Sequence, residues 1–199
     1  MGAFCALFLW MGACCAHFLF LEDKMNKKTR FLAQAGMIAA LYVVLTHLQN
    51  FVWPESTSFA IQFRLSEALC VLAVMTPAAI PGLTIGCLVY NLTYIGALPL
   101  DWLIGSAATL LAALCTRALA NVRVGKGRWA VASALPPVIF NGLIIGAELC
   151  WCIMGQWNWG VFVAQGVSVA MGEAVACVLG VLLVHYVEKN PRLLATFQG

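Results

Sequence analysis

The sequence predicts an all-α polytopic membrane protein with six transmembrane helices. Three observations carry that expectation. Hydrophobic residues make up 63% of the 199-residue chain. Charged residues make up only 10%, against about 25% in an average soluble domain. The apolar residues are gathered into runs of near-spanning length, separated by Pro, Gly and polar breaks.

Taken in order, the runs lie at about 31–50, 64–77, 81–97, 101–120, 130–153 and 158–187. Trp53-Pro54-Glu55-Ser56-Thr57 separates the first from the second, and Pro77 with Pro81-Gly82 divides the second from the third. Pro99-Leu100-Asp101 precedes the fourth, a polar basic loop from Asn121 to Arg128 follows it, and Gln156-Trp157-Asn158 precedes the sixth. Small residues (Gly86, Gly105, Gly142, Gly146, Gly166, Gly172) recur along the runs, as close helix packing in lipid requires. No internal repeat is evident.

Residues 1–24 read as a hydrophobic leader, MGAFCALFLWMGACCAHFLFLEDK, long enough to span and followed by basic residues. It could be a seventh helix, an uncleaved signal-like segment or the product of a start assigned too early. The last is the expectation, because Met25 begins MNKKTR, an ordinary lead-in to a first helix. The chain then divides into the leader, a six-helix domain over 25–187 and a tail over 188–199.

Charge placement sets the topology. Lys24, Lys27, Lys28 and Arg30 precede the first run; Arg117, Arg123, Lys126 and Arg128 flank the fourth-to-fifth loop; Lys189 and Arg192 follow the sixth. With six spans all ten fall on one side, which the positive-inside rule makes cytoplasmic together with both termini. Glu55 and Asp101 mark the opposite loops. Arg64 is the exception among the eleven Lys and Arg residues.

The composition excludes other classes. No basic patch is interleaved with aromatics, which argues against nucleic-acid binding. The nine cysteines lack metal-ligand spacing and read as apolar filler, Cys150-Trp-Cys152 included, so neither a metal nor a cofactor is expected. HExxH, GxSxG and phosphate-loop patterns are missing, and no nucleophile and base can be assembled, so no catalytic residue is assigned.

The polar residues inside the apolar runs are the candidate site. The stretch FAIQFRLSEAL (59–69) places Arg64 and Glu67 three apart beside pure hydrocarbon. Charges inside a membrane segment cost about 2.5–3.5 kcal/mol each on insertion scales and mark functional sites. In the six-span topology Gln62, Arg64, Ser66 and Glu67 open the second run, Asn91 and Tyr94 end the third, Asn141 and Glu148 lie on the fifth, and Gln165 and Glu173 on the sixth. All converge on the outer half of the bundle, and the second and third runs are short and Pro/Gly-interrupted, as at transporter binding sites. Arg64 and Glu67 could instead form a simple intrahelical ion pair. Asn91 and Asn141 serve equally as interhelical hydrogen-bonders. Trp53, Trp151, Trp157 and Trp159 suggest an interfacial belt.

IQFRLSEAL at 61–69, Pro77 through GLTIGCLVYNL, DWLIGSAATLLAA (101–113), PPVIFNGLIIGAEL (136–149) and the MGE of 171–173 occur in an order that resembles the QueT family. Its members are the substrate-binding S components of energy-coupling factor (ECF) transporters assigned to queuosine precursors. The resemblance covers about residues 30–187. It implies a six-helix S-component fold in the plasma membrane of a bacterium. It also implies a 7-deazaguanine ligand (preQ1, preQ0 or queuine), and docking on a shared ECF transmembrane subunit driven by two ATPase subunits.

Ala35, Gly36, Ala39 and Ala40 form a small-residue strip that suits such docking, with an ordinary internal contact as the alternative. A carboxylate suits the guanidine-like edge of the base. Glu67 oriented by Arg64 is the leading assignment, Glu148 and Glu173 are alternative edge readers, and Asn91, Asn141, Tyr94 and Gln62 are helpers. An S component for another vitamin-like ligand, a solitary carrier, or a membrane enzyme or scaffold are the competing readings.

Overall fold

The computed structural model describes residues 26–54, 63–96, 100–120 and 130–198; the leader and the basic loop lie outside them. Helix α1 (Lys27–Val52) runs 26 residues without an internal proline and ends just before Pro54. Next comes a 3-10 helix, η1 (Leu65–Val74), and then α2 (Ala79–Thr93). Pro81 sits in the first turn of α2, where a missing N–H is tolerated. Helix α3 (Asp101–Leu119) carries Asp101 in its first turn and Arg117 in its last, both favourable to the helix dipole.

One short turn, α4 (Ala130–Ser133), leads into α5 (Leu135–Met154), whose first turn holds Pro136 and Pro137 and whose end is set by Gly155 at φ 63°. Asn158 caps α6 (Trp159–Lys189) by accepting from Val161 N at 3.1 Å. The tail forms a further helix, α7 (Pro191–Gln198), and its Leu193, Leu194 and Phe197 pack against the core.

Among the described residues, α1, α3, α5 and α6 are long and apolar enough to cross a membrane. The second and third expected spans are shorter than the sequence runs suggested, at 10 and 15 residues. Their lengths are about 20 Å for the 3-10 helix and about 22 Å for α2, against a hydrocarbon core of about 30 Å. The 3-10 helix stops at Val74 and α2 begins at Ala79, with Pro77 in the turn between them.

The short η1 lies at the centre of the molecule. Residues Ser66 to Ala73 are buried one after another, as expected of a helix apolar on every side. Around it stand Ile38 and Tyr42 of α1, Leu83, Cys87 and Tyr90 of α2, and Val184 and Val187 of α6. Glycine contacts set the spacing of the outer helices. A Cβ on Gly82 would meet the Ala35 carbonyl at 2.7 Å, and one on Gly86 would meet Tyr42 Cβ at 2.7 Å. Helices α5 and α6 cross where a Cβ on Gly146 would stand 2.6 Å from Gly166 Cα.

The small-residue strip on α1 therefore divides. Ala35 is buried, and the carbonyls of Ala35 and Ala39 face Gly82 and Gly86 in the internal contact, whereas Gly36 and Ala40 lie exposed on another face. The four tryptophans of the expected belt, Trp53, Trp151, Trp157 and Trp159, are all exposed.

Candidate binding site

Helix α1 shapes the site before any charge enters it. Gln34, Tyr42, Thr46 and Gln49 form a polar stripe along the face toward η1. The Gln49 amide donates to the Phe63 carbonyl and accepts from Leu65 N at 2.6 Å, fixing the lead-in to η1. Thr46 Oγ1 lies 2.7 Å from both Ser66 Oγ and its own helix's Tyr42 carbonyl. At the far end Thr76 Oγ1 donates to Gln34 Oε1 at 3.1 Å, and Arg117 Nη1 donates to the Val74 carbonyl at 2.8 Å.

Glu67 is held by two donors: Tyr42, which the sequence analysis did not single out, and Cys70, which it read as apolar filler. Tyr42 Oη donates to Oε1, and Cys70 Sγ donates to Oε2 at 2.8 Å. Residues three apart eclipse one another in a 3-10 helix, which brings the Cys70 thiol over Glu67. Arg64 stands at the N-cap, with extended φ −117° and ψ 110°, so it does not share a helical face with Glu67. Among the described residues its ion pair is with Asp101, Nη2 to Oδ2 at 3.8 Å, not with Glu67. Its guanidinium also sits 5.9 Å from the centroid of the Tyr90 ring, within cation–π range.

Asp101 was expected in a loop; it is instead a buried residue of the first turn of α3. Asn91 Nδ2 donates to its carbonyl at 2.9 Å, and Gly105 leaves room for that amide, since a Cβ there would lie 2.9 Å from Nδ2. Tyr94 is half-buried and stacks on Tyr90 at 5.4 Å, and His47 meets the Tyr90 ring edge-on at 4.9 Å.

Helices α5 and α6 supply the remaining acids. Asn141, Ile145 and Glu148 follow one face of α5, being four and three residues apart. Asn141 hydrogen-bonds Glu173 of α6, and Glu173 lies within electrostatic range of Glu67 and Arg64. Glu148 lies within range of Asp101 and Arg64. Arg64, Glu67, Asn91, Asn141, Glu148 and Glu173 are thus all buried in one interior polar cluster. Gln62 lies outside the described residues.

Among the described residues, several of these buried groups have no partner: Arg64 Nε, Asn91 Oδ1, Glu173 Oε2 and both oxygens of Glu148. A buried acceptor left unsatisfied costs about 1–3 kcal/mol, and more when charged. Five such atoms, drawn from the N-cap of η1 and from α2, α5 and α6, describe a surface complementary to a polar ligand. Sequence reasoning missed Asp101, Tyr42, Tyr90 and Cys70, whose only signal was proximity to Arg64 and Glu67 in the folded chain. A separate groove of about 340 Å³ between α5 and α6, lined by residues such as Val138, Leu143, Phe162 and Val167, is apolar.

A family model described as QueT transporter matches residues 32–189, which include every buried polar residue of the cluster. No curated protein matches the chain, and no solved structure does.

Proposed function

The chain belongs to the QueT transporter family, and we propose that it is the substrate-binding S component of an ECF transporter that imports a queuosine precursor, a 7-deazaguanine such as preQ1, preQ0 or queuine. Membership makes it a membrane transport protein rather than an enzyme. In the proposed arrangement all six runs cross the bilayer, η1 and α2 as short spans. Both termini face the cytoplasm, and the polar cluster opens outward.

The observation that carries this reading is the set of buried atoms on Arg64, Asn91, Glu148 and Glu173 that have no partner among the described residues. A 7-deazaguanine presents two adjacent N–H donors, a carbonyl oxygen and a flat face. Glu67 already accepts from Tyr42 and Cys70, so Glu173, steadied by Asn141, is the better reader of the donor edge. Arg64 Nε is a donor for the carbonyl, and the stacked Tyr90–Tyr94 pair offers an aromatic wall. Glu67 then serves as the anchor of the floor. The exposed face of α1 with Gly36 and Ala40 is proposed to meet the ECF transmembrane subunit, which two ATPase subunits would drive.

The test is a binding titration of the purified full chain in detergent with queuine, preQ1, preQ0 and guanine, repeated with Glu173→Gln. Binding of a deazaguanine in preference to guanine, weakened at least tenfold in the variant, supports the assignment. Failure of wild type to bind any of them removes the substrate reading.

A further inference from the structure

We infer that Glu148 and Asp101 form a second subsite in the cluster, one that receives a protonated alkylamine arm on the ligand whose ring Glu173 and Asn141 hold. The inference rests on reading the cluster as a deazaguanine site and adds which substituent the site selects.

Glu148 differs from every other acid here. Glu67 has Tyr42 and Cys70 as donors, Glu173 has Asn141, and Asp101 has Arg64. Glu148 is only 5% exposed and neither carboxyl oxygen has a partner among the described residues. Packing does not explain it. Its side chain shares the inward face of α5 with Asn141 and Ile145, and so points into the polar cluster.

Charge leads to the same place. Among the described residues the cluster holds four carboxyl groups, of Glu67, Asp101, Glu148 and Glu173, and one guanidinium, Arg64. Arg64 is committed to Asp101 at 3.8 Å, and His47 contacts Thr93 and Tyr90 rather than the acids. A neutral ligand leaves the acid excess as it was, whereas a cation beside Glu148 and Asp101 reduces it. Buried carboxylates without a compensating cation are strongly disfavoured.

Position fits as well. Asn141 and Glu148 lie seven residues apart on one face of α5, about 10 Å along the helix. That separation is on the order of the length of a fused bicyclic ring with a one-carbon arm and a hydrogen bond at each end. The ring would lie at the Asn141 level and the arm would reach toward Trp151.

The experiment compares dissociation constants of 7-aminomethyl-7-deazaguanine and its neutral isostere 7-hydroxymethyl-7-deazaguanine for wild type and Glu148→Gln, in detergent at neutral pH. The inference expects the amine to bind wild type about a hundredfold more tightly than the alcohol, and Glu148→Gln to shrink that ratio to about threefold. Asp101→Asn should reduce the ratio in the same direction. Equal affinity of wild type for amine and alcohol would overturn the subsite while leaving the deazaguanine assignment standing. An unchanged ratio in Glu148→Gln would overturn the role given to Glu148. Binding of neither probe would defeat the deazaguanine reading and this inference with it.

Discussion

Arg64 Nη2 lies 3.8 Å from Asp101 Oδ2, tying the extended lead-in of η1 to the first turn of α3. Both residues are buried, so removing one partner leaves a charge without its counterpart. Asp101→Asn should lower the stability of the detergent-solubilised protein by about 3 kcal/mol. The paired change Arg64→Met with Asp101→Leu should recover much of the loss, which thermal unfolding of the two variants beside wild type would establish. A double variant no more stable than the single one would argue against the pair.

Tyr42→Phe removes one oxygen and leaves Glu67 Oε1 without its donor. The expected loss is about 1–3 kcal/mol, the penalty for an orphaned buried acceptor. Because both groups belong to one hydrogen bond, adding Glu67→Gln to Tyr42→Phe should cost less than the two single effects together. Strict additivity in the unfolding measurements would contradict the contact.

Glycine substitutions should separate sharply by position. Gly146→Ala and Gly86→Ala each force a Cβ to within 3 Å of a neighbouring helix, whereas a Cβ on Gly36 meets nothing within 4 Å. The first two should lose about 1–3 kcal/mol by overpacking, and Gly36→Ala should be nearly silent. Comparing melting temperatures and the yield of monodisperse protein would decide the matter.

Bulk on the exposed side of α1 should act on transport and not on binding. Gly36→Leu and Ala40→Leu alter the face proposed to meet the ECF subunit, and neither residue belongs to the polar cluster. Uptake in cells should fall at least tenfold while the purified variants keep their ligand affinity. Ala35→Leu, by contrast, should impair folding itself, because Ala35 is buried against α2.

The long helices were legible because α1, α3, α5 and α6 are continuous apolar runs bounded by Pro, Gly and charged residues. The charged candidates were legible because Arg64, Glu67, Glu148 and Glu173 stand out against hydrocarbon. The pairing of those groups was not. Counting three residues from Arg64 to Glu67 assumes that both are helical, but η1 begins at Leu65 and Arg64 is extended.

Asp101 lies two residues after Pro99 and read as a loop residue, although a helix that begins with an acid can bury it when an arginine waits on another element. Tyr42, Cys70 and Tyr90 are plausible core residues in any apolar run, so only the three-dimensional neighbourhood reveals that two of them serve Glu67. Residues 1–24 and Gln62 fall outside the described residues.

The winding of η1 has a mechanical consequence. Ten residues in a 3-10 helix are about 5 Å longer than the same ten in an α-helix. The segment that positions Glu67 and adjoins Arg64 therefore holds a reserve of length that can be released without breaking a covalent bond or drawing on a loop. Rewinding would pull the two ends together and rotate Glu67 away from Cys70, turning a local change of pitch into a stroke along the axis. A pair of spin labels at the two ends of η1, measured with and without ligand, would read that stroke directly.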